Sequence, residues 1–378
     1  MKKNSQLTIV ISFTAFLAVF GILFFALPRK EFSEMENRYL AAPPKLTLSS
    51  LTSGKFTASF ETYVSDQFPF RTFWVGTQAL TEYALLKTEN NGVYSGKDGF
   101  LSERFTIGNG AIAADNIDAV NVFVSSVDTP VYFALIPGSG EILRGKLPSN
   151  AIDADQAAVI ADIYAALNPD ARAIDLYSVM AEHSDEYIYF RTDHHWTPLG
   201  AGYAAKKIAG ALGMPIPADG SETLLADDFR GSAFNASAAW WVNPDEIRTR
   251  VTSASVEVTD YNSGAAVPAS LYNPEFLSKP GKYQYFLGGN SPRLVLRTEF
   301  SGIKLLIVRD SFTDALAPQL TESAAEIHLI DLRYYKNSVA EYIKENGIDK
   351  VLILYSVRNF CEDGSAALLQ FTSGGLRQ

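Results

Sequence analysis

The chain predicts an α/β protein, a mostly parallel sheet flanked by helices, and three observations carry that expectation. Apolar runs at residues 131–136, 303–308 and 350–355 have the length and composition of strands buried on both faces. Segments of helical length and spacing lie between such runs, at 111–124, 155–167 and 337–346. The polar residues with chemistry to offer fall in loops after strand-like runs, where α/β proteins keep their sites.

Residues 7–27 are uncharged and strongly apolar, follow Lys2 and Lys3, and can cross a hydrocarbon core of about 30 Å as a helix. A signal peptide is the competing reading. No small-x-small cleavage signal stands out around Ala26 and Leu27, and the run exceeds a usual signal core, so residues 1–27 read as a cytoplasmic tip and a transmembrane anchor. Lys2 and Lys3 face Arg29 and Lys30 across the run, so charge fixes the orientation poorly. Pro43-Pro44 and the Ser/Thr-rich run to Ser53 read as a stalk. Phe56, Phe60, Tyr63 and Val64, then Phe73, Leu80, Tyr83 and Leu86, recur at helical spacing on either side of Pro69, which predicts two packed helices and an aromatic stripe that serves as core. Residues 28–92 are therefore expected to be stalk and helical pair, and residues 93–378 the α/β domain.

That domain opens on a hairpin, Val93-Tyr94 against Phe100-Leu101 around Lys97-Asp98-Gly99. Helix 111–124, strand 131–136, helix 155–167, a strand and helix through 173–183, and a strand-like run at 187–190 follow. Residues from about 223 to 300 break the alternation. Stretches 249–259 and 293–297 are strand-like, Trp240-Trp241 is conspicuous, and the whole reads as a β-rich insertion. The pattern resumes with strands 303–308 and 326–331, helix 337–346 and strand 350–355.

A net charge of −10 argues against a surface for nucleic acid. With 47% hydrophobic residues, the 378-residue chain can bury one sizeable core. The single cysteine, Cys361, forbids an internal disulfide and says nothing about redox compartment.

The run Arg191-Thr192-Asp193-His194-His195-Trp196-Thr197-Pro198 gathers two of the four histidines beside a carboxylate. An acid two residues before an imidazole can accept from its Nδ1–H, fixing the tautomer that leaves Nε2 free to take a proton. Thr197 and Pro198 read as N-cap and first position of a helix through Ala201, Tyr203, Ala204 and Ile208, which puts the acid and both histidines in the loop feeding it. Capping or backbone satisfaction is the plainer role for such histidines. Asp193, His194 and His195 are also potential metal ligands, but adjacent side chains rarely converge on one ion unaided, and Cys361 has no C-x-x-C partner. No metal and no organic cofactor are expected.

A base needs a nucleophile. The strand at 303–308 stops at Arg309-Asp310-Ser311, and residues 312–320 read as a helix, so Ser311 falls at a strand-to-helix turn whose N–H groups can stabilise an oxyanion. Alone, Ser311 reads as a helix cap. Together with Asp193 and His195 it completes the set of acid, base and nucleophile at loop positions of one α/β pattern.

The Asp-His-His-Trp run, the Asp-Ser-Phe turn, Tyr285-Phe286-Leu287-Gly288-Gly289-Asn290, the stretch from Ile327 through Asp331-Leu332-Arg333-Tyr334-Tyr335, and Asn91-Gly92-Val93-Tyr94-Ser95-Gly96-Lys97-Asp98-Gly99 together resemble the bacterial DHHW protein family. The resemblance covers nearly the whole chain after the anchor. That family is similar to the SGNH-hydrolase-like O-acetyltransferases of exopolysaccharide export, among them the alginate acetylation proteins. Carried over residue by residue, the resemblance implies Asp193 and His195 as the acid–base pair, Ser311 as the serine and His194 as the intervening residue. Wider SGNH enzymes place Gly-Asp-Ser early and Asp-x-x-His late. Here the order is reversed, one residue separates acid and base, and Arg309 stands where the glycine would be. Gly289 and Asn290 are the counterparts of the glycine and asparagine of an oxyanion hole, and Gly288-Gly289-Asn290 equally reads as an ordinary turn.

The resemblance thus implies an SGNH-like, membrane-anchored, extracytoplasmic enzyme that transfers or removes acyl groups, above all acetyl, on a cell-surface or exported polysaccharide. Ser311, His195 and Asp193 would act as a triad, with His194, Gly289 and Asn290 holding substrate or oxyanion. It implies a multispanning membrane O-acyltransferase as the source of acyl groups. A plain esterase shares the same triad. A non-catalytic protein that binds glycan or scaffolds an export complex is the alternative of a different class.

Overall fold

A computed structural model describes residues 2–250, 252 and 254–372. Residues 251 and 253, expected within a strand, and Met1 and 373–378, at the ends of the expected domains, lie outside the described residues. The chain forms two compact units, Met1–Lys87 with Asn235–Trp241, and Thr88–Phe234 with Val242–Gln378.

In the first unit, helix α1 (Lys2–Ala26) contains a stretch, Gln6–Ala26, long and apolar enough to cross a membrane. Two amphipathic helices follow, α2 (Lys55–Asp66) and α3 (Arg71–Ala84), divided at Pro69, but the stripe expected to serve as core is largely exposed, with Phe60, Phe73, Leu80, Tyr83 and Leu86 all at the surface of the protein. Arg38 grips buried Asp66 with two hydrogen bonds, of 3.0 and 2.6 Å, and ties the chain before α2 to its last turn. Trp240, expected in the β-rich insertion, donates from its indole to the Gly76 carbonyl of α3 at 3.3 Å.

The second unit is built on an eight-stranded mixed sheet. Its strands are β1 (Val131–Ile136), β2 (Arg172–Ile174), β3 (Val256–Asp260), β4 (Val267–Ala269), β5 (Arg293–Thr298), β6 (Lys304–Arg309), β7 (Glu326–Ile330) and β8 (Lys350–Ser356). They lie in the order β4-β3-β5-β7-β6-β8-β1-β2. From β7 to β2 neighbouring strands run parallel. From β4 to β7 they are antiparallel. The sheet is therefore less parallel than expected, because β3, β4 and β5 of the expected insertion extend the main sheet instead of standing apart from it. Within the expected insertion, Glu222–Phe229 and Asp245–Arg250 form a separate, bulged two-stranded ribbon.

Alternate residues of the parallel strands feed two cores. Leu305, Ile307, Leu352 and Leu354 enter the core that holds helix α6 (Pro198–Leu212). Leu306, Val308, Val351 and Ile353 enter the opposite core, with α4 (Ala111–Ser126), α5 (Gln156–Ala166), α7 (Val339–Asn346) and α8 (Val357–Glu362). Burial on both faces is what turns these strands into unbroken apolar runs.

Two further expectations change. Residues 187–190 form no strand; Phe190 donates to the His195 carbonyl and Thr197 to that of Ile188, so this apolar run pairs with its own downstream loop. The helix expected at 312–320 is Thr313–Leu316 followed by a 3-10 turn, Ala317–Leu320, where Pro318 cannot donate the next α-helical bond.

Candidate active site

The Asp193 loop is fixed from both ends. Thr197 caps α6, accepting from Gly200 N at 3.4 Å, while its hydroxyl donates to the Tyr187 carbonyl at 2.7 Å. At the other end buried Asp245 accepts from Arg191 N (3.1 Å), Thr192 N (2.7 Å) and the Thr192 hydroxyl (2.6 Å), and from Tyr187. The loop then has few ways to move. Gly200 is required beneath it, since a Cβ there would lie 2.4 Å from the Ile188 carbonyl oxygen.

The serine turn is held in the same manner. Asp310, buried where β6 ends, accepts from Phe312 N at 3.1 Å, and from Ser356 N and the Asn359 amide at 2.8 Å each. Those bonds lock the turn to the end of β8. Arg309, which stands where the wider hydrolase pattern has glycine, is wholly buried and forms an ion pair with Asp314.

Loop and turn meet through Trp196, whose buried indole donates to the Phe312 carbonyl at 2.9 Å. The contact sets Asp193, His195 and Ser311 in line. His195 Nδ1 is 2.6 Å from Asp193 Oδ1, and His195 Nε2 is 2.8 Å from Ser311 Oγ. Asp193 Oδ1 also accepts from His195 N at 2.9 Å, and Oδ2 from Ser232 N at 2.8 Å. Burial alone would raise the Asp193 pKa, but the charges of His195 and His194 and these bonds hold it well below the carboxylate range. Burial, then repulsion from His194, pushes His195 below its usual value against the pull of Asp193. A neutral imidazole facing a serine hydroxyl, backed by an ionised carboxylate, can take a proton from that hydroxyl.

His194 projects differently. Its ring lies against that of His195, tilted by 36° with centroids 3.8 Å apart, and its Nδ1 lies 2.6 Å from the Ser232 hydroxyl, which donates to Glu103 at 3.3 Å. The side-chain atoms of Asp193, His194 and His195 that could ligate a metal fall within 4.8 Å of one another. His195 engages Asp193 and Ser311 through its two ring nitrogens, and His194 engages Ser232 through Nδ1. His183 and His328 lie elsewhere, one stacked on Tyr203, the other buried beside Tyr342.

Ser311 and His194 line a cavity of about 290 Å³ together with Glu103, Ser139, Asn359 and Arg358. Gly289 and Asn290 are absent from its described lining. Gly289 sits in a turn at φ +103° against Gln284, and Asn290 bonds the Tyr334 hydroxyl at 3.2 Å and reaches Arg333 at 3.5 Å. Gly138, Ser139, Gly140 and Asn359 line that cavity with Ser311.

Three residues of this site carry no local signal in the sequence. Tyr283 stacks flat on His195, with centroids 3.9 Å apart and planes 10° from parallel, and donates to the Ser311 carbonyl at 3.1 Å. Burial raises its pKa, so the phenol keeps the proton it donates. Ser232 braces Asp193 and His194 at once. Gly231 permits it, because a Cβ there would fall 2.2 Å from the Asp193 side chain. Gly231→Ala is therefore expected to displace Asp193 and to lower kcat/KM for an acetyl ester by about 100-fold, the scale of a misplacement near 1 Å, with thermal unfolding recorded beside it to separate misplacement from unfolding.

The family described as DHHW protein matches residues 93–330. A DHHW family protein from Eubacterium siraeum, solved by crystallography, superposes with a TM-score of 0.64 at 25% identity, over 74% of this chain and 95% of that one. Bacillus cereus PatB1, solved with a sulfonyl adduct, shares the fold at a TM-score of 0.60 and 21% identity, over 74% and 98% of the two chains. Among curated proteins, the probable alginate O-acetylase AlgJ of Pseudomonas syringae pv. tomato is 26% identical over 185 residues, 46% of each chain. AlgJ of Pseudomonas aeruginosa is 26% identical over 231 residues, 57% of this chain and 56% of its own. The chain thus spans about half the length of these curated relatives. With the family match covering well over half of its residues, the chain belongs to the DHHW protein family.

Proposed function

We propose that this chain is a membrane-anchored, extracytoplasmic O-acyltransferase or esterase of SGNH-like arrangement that moves acetyl groups on a cell-surface or exported polysaccharide. The observation that carries the reading is the unbroken line Asp193–His195–Ser311, with spacings of 2.6 and 2.8 Å, whose serine borders an open cavity. Ser311 Oγ attacks the acyl carbonyl and forms the new C–O bond as its proton passes to His195 Nε2. The carbonyl bond to the donor oxygen then breaks, and His195 returns the proton to that leaving oxygen. In the second half a sugar hydroxyl, or water, gives its proton to His195 and attacks the acyl carbonyl; the bond to Ser311 Oγ then breaks, and Oγ takes the proton back from His195. Asp193 holds the ring and offsets its transient positive charge. The oxyanion is assigned to the backbone N–H groups of Ser311, Ser139 and Gly140, residues that line the same cavity, in place of Gly289 and Asn290.

The relatives' names as alginate O-acetylases support polysaccharide as the acceptor. A multispanning membrane acyltransferase is the partner proposed to deliver acyl groups. Acetyl release from a soluble activated ester, measured with and without an oligosaccharide acceptor, tests the reading: acetylated sugar at the expense of free acetate marks transfer, acetate alone marks an esterase, and neither product defeats the proposal.

His194 is assigned to the acceptor side of the cavity. His194→Ala is expected to keep ester hydrolysis within about tenfold of wild type while raising the KM for the acceptor. It also shifts the acid limb of the pH profile. His195 must be neutral to work, and its lowered pKa, set by burial and by His194, extends the neutral form toward acid; removing the His194 charge that helps lower it moves the limb to higher pH. A limb that stays in place contradicts the coupling.

A further inference from the structure

We propose that α3 lies in the membrane interface as a second, monotopic contact beside the anchor, with the lipid bilayer as its partner; the inference rests on α1 spanning the membrane. The 21 residues Gln6–Ala26 rise about 31 Å as a helix, which matches the hydrocarbon core. Phe20 is six residues, or about 9 Å, inside the Ala26 end. At that depth its ring stacks on Phe68, with centroids 5.4 Å apart and planes 7° from parallel, and meets Trp74 of α3 at 5.9 Å. Nearer the end, Phe24 meets Tyr63 at 5.8 Å, and Arg29 lies over Phe24 at 4.3 Å. The start of α3 therefore sits at the depth, about 5–10 Å, to which interfacial helices bury their apolar faces.

The surface of α3 fits that placement. Phe73, Thr77, Leu80 and Ala84 recur at i, i+4, i+7 and i+11, and Phe73 is 62% exposed within the protein. The stripe continues into Leu85 and Leu86, which are 76% and 84% exposed. Its hydroxyls are satisfied within the helix: Thr77 donates to the Phe73 carbonyl at 2.7 Å and Thr81 to that of Thr77 at 2.8 Å. The charged groups lie on other faces and are paired, Arg71 with Glu36 and Glu82 with Lys87. An apolar, aromatic, charge-free stripe whose polar atoms need no water, joined through ring contacts to a bilayer-spanning helix, meets the chemical demands of the interface.

The test places spin labels on cysteines introduced into the full-length chain in phosphatidylcholine and phosphatidylglycerol vesicles, and compares collision with oxygen, which concentrates in lipid, to collision with a water-soluble nickel chelate. Phe73→Cys and Leu80→Cys report on α3, Ile11→Cys on the anchor and Asp185→Cys on an aqueous surface. The labels at 73 and 80 are expected to move from the aqueous range of position 185 toward the lipid range of position 11. Nickel access at 73 and 80 equal to that at 185, with position 11 shielded, overturns the interfacial contact and leaves that face to a protein partner. Nickel access at position 11 as well overturns the anchor and the proposal with it. Because neither α3 label lies in the cavity around Ser311, ester hydrolysis by the labelled chains reports separately on the proposed chemistry.

Discussion

Ser311→Ala is expected to abolish turnover of an activated acetyl ester, lowering kcat by about four to six orders of magnitude, or about 5–8 kcal/mol of transition-state stabilisation. The size follows from the role assigned to Oγ, since without it no covalent intermediate forms. The fold should be nearly indifferent. Ser311 Oγ makes one side-chain hydrogen bond, to His195, and losing it costs about 1 kcal/mol against a turn that Asp310 and Trp196 hold independently. Circular dichroism and thermal unfolding that match wild type, beside a kinetic trace at the chemical background, are the outcome. Wild-type turnover in the variant removes serine from the mechanism.

His195→Ala should be nearly as severe, and Ser311→Ala/His195→Ala no worse than either alone, because the two act as one unit. Asp193→Asn is expected to lose about 10⁴-fold: an amide in that place accepts less well and can turn the imidazole to the wrong tautomer. Ranking the single variants with one substrate separates the neighbouring histidines. A full loss in His194→Ala with activity kept in His195→Ala would make His194 the base, against a geometry in which His195 Nε2 faces Ser311 while His194 Nδ1 faces Ser232.

The parts of this architecture written in local pattern were legible from the chain. Thr197 and Pro198 mark the start of α6 because capping and proline chemistry act within a few residues, and β6 and β8 show as apolar runs because both faces are buried. The spacing of Asp193 and His195 brings acid and imidazole within reach of one hydrogen bond, so the pair shows in local sequence. What escaped depends on long-range contact. Asp245 reaches the loop from 53 residues downstream, and Tyr283 stacks on His195 from nearly 90 residues away; neither belongs to a periodic pattern. Residues 187–190 have strand composition yet fold onto their own loop, which shows that an apolar run reports burial rather than partner. Gly288-Gly289-Asn290 has the composition of a turn and of an oxyanion hole alike, and composition alone does not separate the two.

The central claim, that Ser311 carries the acyl group, is tested most directly by trapping. The purified chain treated with a sulfonyl fluoride is analysed by intact mass and peptide mapping while ester hydrolysis is followed in parallel. One sulfonyl group per chain, mapped to Ser311 and formed in step with loss of hydrolysis, is the predicted result, with labelling slowed sharply in His195→Ala. Loss of hydrolysis with the adduct on any other residue, or full modification of Ser311 with hydrolysis intact, would contradict it.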